Sequence, residues 1–285
     1  LQPRFSSSRF WEVSRRHSCT WAHMVMFTLQ ALLEMPDPPA HSYRFWGCGG
    51  DIGVVRERWG IKTIGWFGMT ETVSQCIVSD FEEIGPEYSM GRPAREYEIA
   101  VRRPDGSDVS CGETGDLWIR GPRGVALFRE YLKDPDATDA AFDEQGWFDT
   151  GDQVVVQPDG NIFYIGRKKD MLKVGGENVA ALEIESVIMA VPGVVEAAVV
   201  GRDDPMLDEV PVAFVVAERE GADLERRIRE ACERDLSDFK RPREIRFVDA
   251  LPKGLLDKVL KKELREWLRR EAAMSSGTRG TGSPL

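Results

Sequence analysis

The sequence lacks several features that define whole classes of proteins. No apolar run approaches the roughly 20 residues that cross a bilayer, and no signal-peptide pattern is visible. Positive charge is scarce, because 38 Lys and Arg stand against 48 Asp and Glu, which gives a net charge of −10. Attraction to the phosphates of a nucleic acid needs a basic face, so we predict no nucleic-acid partner. Because no apolar run is long enough to cross a bilayer, we also predict no integral membrane segment.

Patterns of metal ligands and paired cysteines are also missing. The five cysteines contain no C-x-x-C pair, and the three histidines share no ligand spacing, so we expect no structural zinc. An odd number of widely spaced cysteines is typical of reduced thiols. We therefore expect a cytoplasmic protein.

The apolar residues form patterns that change along the chain and predict an α/β fold that is α+β in part. Helical and buried-strand patterns come first, followed by short strands and turns, then alternating helices and strands, and finally a Gly-, Ser- and Thr-rich end. We interpret these as an αβ subdomain, a β-rich subdomain, a small C-terminal domain and a disordered tail. The predicted ranges are 1–90, 91–167, 168–272 and 273–285.

Individual elements are predicted where the spacing is regular. Around Trp21 to Glu34, the apolar residues Val25, Leu29, Leu32 and Leu33 recur at helical spacing, which predicts a helix there. Ile61–Trp66 has the apolar run of a buried parallel strand. Two short strands around Pro158-Asp159-Gly160 predict a β-hairpin. Further helices are predicted around 181–190, 223–236 and 259–270, and further strands around 96–103, 116–120, 194–200 and 210–217.

Two short stretches place polar side chains where a ligand could meet them. Thr70 and Glu71 follow a predicted strand and Gly68, and a hydroxyl beside a carboxylate can bind a phosphate oxygen and Mg²⁺. Asp152 lies at a predicted turn, where an ionised carboxylate could accept both hydroxyls of a ribose. In isolation each stretch also has a structural explanation, as a capped helix start or as an Asp that closes a loop.

A third stretch concentrates basic residues in an acidic chain. Gly166–Asn178 carries four basic residues and two adjacent glycines. Such a segment is either an anion-binding site or a solvated loop. The residues alone leave both interpretations open.

Taken in order, five stretches resemble the motifs of the adenylate-forming superfamily of acyl-CoA synthetases, luciferase and peptide-synthetase adenylation domains. The part from 142 to 185 most resembles crotonobetaine/carnitine–CoA ligases and medium-chain acyl-CoA synthetases. The matching stretches are Phe67–Glu71 (Y-G-x-T-E, with Phe for Tyr), Gly115–Gly121 (G-E-L-x-I-x-G), Phe148–Asp152 (Y-R-T-G-D), Gly166–Glu185 (the hinge motif) and Pro252–Lys258 (P-K-T-x-x-G-K).

The resemblance implies the C-terminal part of the acyl-adenylate-forming fold and a two-step ligase reaction. A small-molecule carboxylate and ATP would give acyl-AMP and pyrophosphate, and coenzyme A would then take the acyl group as a thioester. ATP, Mg²⁺ and coenzyme A are the implied cofactor and co-substrates.

The resemblance also implies roles for individual residues. Thr70 would bind the α-phosphate, Glu71 would bind Mg²⁺, and Lys258 would reach the carboxylate and α-phosphate, which makes these three the catalytic candidates. Trp66 and Phe67 would form an aromatic wall of the acyl pocket. Lys169 would be the hinge. The implied ATP and AMP contacts are Gly49, Gly50, Phe67, Gly68, Met69, Thr70, Asp152, Arg167 and Lys258, and the implied CoA contacts are Lys173, Gly175 and Gly176.

The sequence departs from the family pattern in two places. Nothing in it resembles the Ser/Thr/Gly-rich phosphate loop T-S-G-T-T-G-x-P-K-G, and the chain begins with Leu1, so we expect an N-terminally truncated enzyme. In the last motif Gly254 replaces Thr and Asp257 replaces Gly. An acidic neighbour could pair with Lys258 and weaken its attraction for the substrate.

Two other functions stay open from the sequence. The chain could be a catalytically inactive remnant that binds AMP, CoA or a partner protein, or an adenylation domain that loads a carrier protein. The acyl group and the oligomeric state are not specified by any residue pattern.

Overall fold

The computed structural model describes residues 5–38, 40–50, 52–83, 85–254 and 258–277 of the 285. The chain forms two compact units, Leu1–Tyr164 and Ile165–Leu285. Within the described part, no helix combines the length and the apolar character that a membrane crossing requires. All five cysteines are free thiols.

The first unit begins with parallel strands and helices around an aromatic core. Strands β1 (Trp21–His23), β2 (Phe45–Cys48) and β3 (Lys62–Phe67) pair in parallel. The helix Gly53–Trp59 is capped by Gly60, whose left-handed φ of 67° suits a residue without a Cβ. The helices are α1 (Ser7–Arg16), α2 (Met26–Leu33) and α3 (Gly53–Trp59). The core aromatic residues are Trp11, Tyr43, Trp46 and Trp59.

The rest of the first unit is β-rich and continues the same sheet. The strand order is β1-β2-β3-β4-β5-β9-β8-β7-β6. Helix α4 (Pro135–Ala140) begins at Asp134, whose side chain accepts a hydrogen bond from the Ala137 N–H. The added strands are β4 (Ile77–Val78), β5 (Ser89–Pro93), β6 (Glu98–Arg102), β7 (Thr114–Arg120), β8 (Phe148–Val156) and β9 (Ile162–Arg167).

The second unit is a sheet covered by helices on both faces. Successive side chains of a strand point to opposite faces, so Ala213 and Val215 of β13 pack in one cluster with α5 and α6, while Val212 and Phe214 pack in another with Leu264 of α7. The elements are β10 (Met171–Val174), β11 (Glu177–Ala180), α5 (Ala181–Met189), β12 (Val194–Asp204), β13 (Asp208–Ala217), α6 (Ala222–Asp235), β14 (Glu244–Phe247) and α7 (Lys261–Gly277). The strand order is β11-β10-β13-β12, with β14 beside β13.

The predicted α/β fold class is confirmed, and several elements differ from the predictions. The hairpin around Pro158-Asp159-Gly160 is present as β8 and β9. The disordered tail was predicted from residue 273, but α7 runs to Gly277, and residues 278–285 lie outside the described part. The basic stretch that could have been a solvated loop is a 3₁₀ turn followed by the β10–β11 hairpin.

One close approach in the first unit depends on a missing side chain. A Cβ at Gly47 of β2 would lie 1.8 Å from Cη2 of Trp66 on β3. The indole also contacts the His23 ring edge-on, with centroids 5.0 Å apart. The Trp66 ring therefore lies directly over the backbone of β2.

We predict that Gly47→Ala destabilises the first unit, because the methyl group has no room beneath Trp66. Overpacking costs about 1–3 kcal/mol, which lowers the Tm of a unit of this size by roughly 3–10 °C. Gly49→Ala is the matched control, since a Cβ there meets nothing within 4 Å. Thermal denaturation measures both variants, and the double change Gly47→Ala/Trp66→Leu should recover part of the loss. Equal Tm values for the two single variants would contradict the packing argument.

Two buried thiols make the stability depend on alkaline pH. Burial raises the pKa of Cys76 from 9.0 to about 12 and that of Cys232 from 9.0 to about 11. A raised pKa of an acid means that folding favours its protonated form. The stabilisation is thus present below pH 9 and is lost as the pH rises through the folded pKa.

We therefore predict that the free energy of unfolding falls between pH 9 and pH 12. Each buried thiol contributes a slope of up to about 1.4 kcal/mol per pH unit. Cys76→Ser should flatten the slope, and Cys111→Ser, at an exposed cysteine, should leave it unchanged. Urea denaturation at a series of pH values measures this, and identical slopes for all three proteins would refute the prediction.

Candidate functional site

Two glycines follow β2 at the edge of the sheet where β3 also ends. The strands are parallel, and Cys48 lies opposite Gly65, so their carboxyl ends meet at one edge. Gly49 is exposed, and an added Cβ would meet nothing within 4 Å. Gly50 is buried, and a Cβ there would lie 2.3 Å from Cα of Tyr88. Gly49 is therefore open to a ligand, whereas backbone packing alone explains Gly50.

The residues after β3 form a short turn held from within. Thr70 and Glu71 lie in a 3₁₀ turn that ends at Thr72. The buried Thr72 hydroxyl accepts a hydrogen bond from the Met69 N–H at 2.9 Å. Val73 follows with φ 57°, a strained conformation for a β-branched residue. This turn leaves Thr70 exposed and Glu71 half-buried at the same edge as Gly49.

Tyr131 is a partner of Glu71 that the sequence did not reveal. Its hydroxyl donates to Oε1 of Glu71 at 3.0 Å, and the Phe128 N–H donates to the Glu71 carbonyl at 2.7 Å. Burial and the neighbouring Glu71 raise the pKa of Tyr131 to about 12, so at neutral pH the phenol keeps its proton and donates a hydrogen bond to the carboxylate. The two residues are 60 positions apart, a separation at which no local pattern links them.

Asp152 is joined to the first motif through an aromatic ring. Its Oδ1 accepts a hydrogen bond from the Tyr164 hydroxyl at 3.1 Å, and the Tyr164 ring stacks on Phe67 with centroids 6.3 Å apart. Asp152 is only 1% exposed. The expected acceptor of ribose hydroxyls is thus close to the Phe67–Glu71 motif but covered.

Trp66 and Phe67 do not form one aromatic wall, which corrects the interpretation from the sequence. They are neighbours in β3, so their side chains point to opposite faces of the sheet. Trp66 packs on Gly47 and His23, while Phe67 packs with Tyr164 against the core of the β-rich part. Because successive side chains of a strand point to opposite faces, the predicted strand Ile61–Trp66 already indicated that Trp66 and Phe67 would be separated.

In the second unit, the basic stretch presents exposed side chains on a tight hairpin. Lys173 of β10 is exposed, and its N–H donates to Oε2 of Glu209 at 2.8 Å. Gly175 and Gly176 connect β10 to β11 with φ of 59° and 86°. A two-residue turn with two positive φ angles requires glycine-like residues. The turn by itself explains both glycines.

The two remaining predicted residues before the hairpin lie at the start of the second unit. Arg167 ends β9 and is half-buried. Lys169 is exposed in the 3₁₀ turn Lys168–Asp170. Both side chains are therefore placed on the short connection that leads from β9 into β10.

Lys258 lies in a loop that is closed at its base. The Gly254 N–H donates to the Lys258 carbonyl at 2.9 Å, and Lys253 bridges to Val259. The Lys253 ammonium is paired with Glu196, while the Lys258 side chain is exposed. Asp257, the neighbour that could weaken Lys258, lies outside the described residues.

The Glu71 carboxylate suits a cation that is held by few protein ligands better than a metal ion that is fully coordinated by the protein. Across the described ranges, no group of three or more His, Cys, Asp or Glu side chains could hold a metal. Glu71 offers one carboxylate, oriented by Tyr131. Mg²⁺ commonly binds one or two carboxylates and takes its other ligands from phosphates and water, so Glu71 fits this role.

Family models match both parts of the chain. The model described as AMP-binding enzyme matches residues 1–132, and the AMP-binding enzyme C-terminal domain matches residues 183–258. The first match contains the Gly49 and Phe67–Glu71 region, and the second ends at Lys258.

Curated relatives and solved structures agree with these matches. The chain is 34% identical over 282 residues to sulfoacetate–CoA ligase of Cupriavidus necator, with 92% of this chain and 52% of the relative covered. It is 31% identical over 274 residues to crotonobetaine/carnitine–CoA ligase of Salmonella paratyphi C, with 93% and 53% covered. The chain therefore spans about half the length of these relatives.

The chain is similar in fold to about half of a CoA synthetase that has been solved in complex with nucleotides. o-Succinylbenzoate–CoA synthetase of Bacillus subtilis superposes with a TM-score of 0.81 in its complex with the acyl-adenylate and 0.79 in its complex with ATP and magnesium. The identity is 30%, and the coverage is 93–94% of this chain and 55% of that one. On the combined sequence, motif and structural agreement, this chain belongs to the AMP-binding, adenylate-forming enzyme family.

Proposed function

We propose that this chain is part of an AMP-forming acyl-CoA synthetase and carries its nucleotide-facing and CoA-facing residues. The observation that carries the proposal is that Gly49 and Thr70–Glu71 both follow the carboxyl ends of two neighbouring parallel strands. Open α/β sheets bind ligands at that edge. The relatives are named as CoA ligases, which favours CoA over a carrier protein as the acyl acceptor.

The reaction has two displacements. A carboxylate oxygen attacks the α-phosphorus of ATP, and pyrophosphate leaves to give acyl-AMP. The thiolate of CoA then attacks the acyl carbonyl, and AMP leaves with the electron pair of the broken C–O bond, so that the thioester forms.

In the first displacement, the turn after β3 binds the reacting phosphate. Thr70 donates its exposed hydroxyl to an α-phosphate oxygen, and Glu71 provides the protein carboxylate for Mg²⁺, with Tyr131 holding its orientation. When bound, Mg²⁺ would offset the negative charge of the phosphate oxygens. Gly68 and Met69, next to this turn, contact the nucleotide through their backbone.

Nucleotide and acyl group are assigned to different faces of β3. Phe67 lies on the face of Tyr164 and Asp152, and we place the nucleoside there, with Gly49 and Gly50 near adenine. Asp152 and Arg167 bind the ribose once the Tyr164 hydroxyl leaves the carboxylate. Trp66, on the other face with His23, lines the acyl pocket.

The second unit serves both displacements. Lys258 offers a compact ammonium to the carboxylate and α-phosphate, two anions that must approach one another. Lys173, Gly175 and Gly176 border the path of the CoA arm on the exposed hairpin. One site that serves two reactions needs a moving part, and we assign the pivot to Lys169, where the β-rich subdomain gives way to the C-terminal domain.

The free thiols favour the cytoplasm as the location of the protein.

Binding of ATP with Mg²⁺ tests the role of the turn after β3. We predict that Tyr131→Phe raises the Mg²⁺ concentration for half-maximal ATP binding by about tenfold to a hundredfold, because a hydrogen bond to a charged group contributes about 1.5–3 kcal/mol. Glu71→Gln should raise it further. Neither change should alter AMP binding without Mg²⁺. Titration calorimetry measures the Mg²⁺ dependence of ATP binding for each variant and the affinity for AMP without Mg²⁺.

Tyr43→Phe is the matched control for this experiment. Its hydroxyl shares a hydrogen bond with Ser14 in the aromatic core, so the variant also loses one hydroxyl contact but should keep the Mg²⁺ dependence. ATP binding that is absent, or that responds equally to all three substitutions, would contradict the proposed site.

We also predict that the 285-residue polypeptide by itself does not release pyrophosphate at a measurable rate. No stretch of it matches the Ser/Thr/Gly-rich loop that holds the departing phosphates. Loss of a single preorganised donor lowers a rate by about a hundred- to a thousandfold, and a loop supplies several. Pyrophosphate release above that of a Lys258→Ala control would overturn the prediction.

A further inference from the structure

Helix α7 carries two cations on one face, and each is anchored to a different element of the second unit. Lys261 and Arg265 are four residues apart, which places them one above the other. The Lys261 ammonium lies 2.6 Å from Oε1 of Glu185 on α5, with side chains only 16% and 13% exposed. Arg265 reaches the 3₁₀ turn Lys168–Asp170 at the beginning of the unit.

Arg265 makes two contacts with one nitrogen. Its Nη2 donates to Oδ1 of Asp170 at 3.0 Å and to the carbonyl of Lys169 at 3.1 Å. The Arg265 and Asp170 side chains are 23% and 21% exposed, so water screens this pair only in part. The contact therefore fixes the peptide plane between Lys169 and Asp170 relative to α7.

That plane marks the end of the movable backbone. Met171 already belongs to β10 and pairs with Ala180. One hydrogen bond, from the Met171 N–H to the Lys168 carbonyl, spans the plane and closes the 3₁₀ turn. The φ and ψ angles of Lys169 are thus the last torsions that can turn without breaking the sheet or the Arg265 contact.

The N-terminal end of the same helix, one turn before Arg265, is joined to the loop of Lys258. Helix α7 starts three residues after Lys258, and the Leu260 N–H donates to the Pro252 carbonyl at 2.8 Å. Leu264 and Leu268 bury the helix against the sheet. Helix α7 therefore connects the turn at Lys169 with the loop of Lys258 through rigid contacts.

We propose that Arg265 is a positioning residue. Its hydrogen bonds to Asp170 and to the Lys169 carbonyl form a staple, which holds the backbone that follows the pivot at Lys169 against α7. Rotation at Lys169 then moves α7 and the Lys258 loop as one body instead of being absorbed by loosening of the turn. The catalytic consequence rests on the proposed function, whereas the staple itself is a property of the second unit.

Limited proteolysis tests the staple without any catalysis. Trypsin cuts after Arg167, Lys168 and Lys169, so cleavage there reports the opening of the turn. In the 285-residue chain, Arg265→Gln should accelerate this cleavage about tenfold, the factor expected for loss of one hydrogen bond to a charged group. Asp170→Asn should do the same at the bond after Arg167, where it leaves both residues of the cleaved bond unchanged. Arg270→Gln is the matched control, because Arg270 lies on the same helix with an exposed i,i+4 partner, Glu266, and should leave the rate unchanged.

A second cleavage site separates local opening from general loosening. Lys240 ends another 3₁₀ turn of the same unit, and cleavage after it should not change in Arg265→Gln. Arg265→Lys, which keeps the charge, should restore part of the protection. An unchanged rate at residues 167–169, or an equal rise at Lys240, overturns the staple. Failure of ATP binding would refute the proposed function and leave this result intact.

Discussion

The parallel pairing of β2 with β3 is the constraint on which the candidate site depends. With Cys48 opposite Gly65, both strands end at the same edge of the sheet, and Gly49 and the Thr70–Glu71 turn follow them at that edge. The same pairing sets Trp66 over Gly47. A side chain at position 47 would disturb the strand pair and, with it, the edge that gathers the polar groups.

Much of this arrangement could be predicted from local patterns. The apolar spacing around Trp21–Glu34 and the turn at Pro158-Asp159-Gly160 indicated a helix and a hairpin that the structure contains, because helix and hairpin signals lie within a few residues. The helix is shorter than predicted, since Trp21–His23 form strand β1 beside β2 and only Met26–Leu33 are helical. The position of Thr70 and Glu71 after a buried strand was also predictable.

Contacts between residues that are distant in the chain could not be predicted from the sequence. Tyr131 meets Glu71 across 60 positions and Arg265 meets Asp170 across 95, and only tertiary packing brings such residues together. At other positions the sequence did carry a local structural pattern, but a functional explanation of the same residues was preferred. Gly175 and Gly176 satisfy the dihedral angles of a two-residue turn before they serve any ligand, and the alternation along β3 separates Trp66 from Phe67.

The contrast between Gly49 and Gly50 has a practical consequence for ligand design. The fold tolerates a methyl group at position 49, where nothing lies within 4 Å, and rejects one at position 50, which faces the backbone of Tyr88. If the nucleotide lies at this edge, position 49 is the adjustable part of its contour. A larger side chain at position 49 would therefore change the contour of this edge while leaving the backbone of the sheet in place.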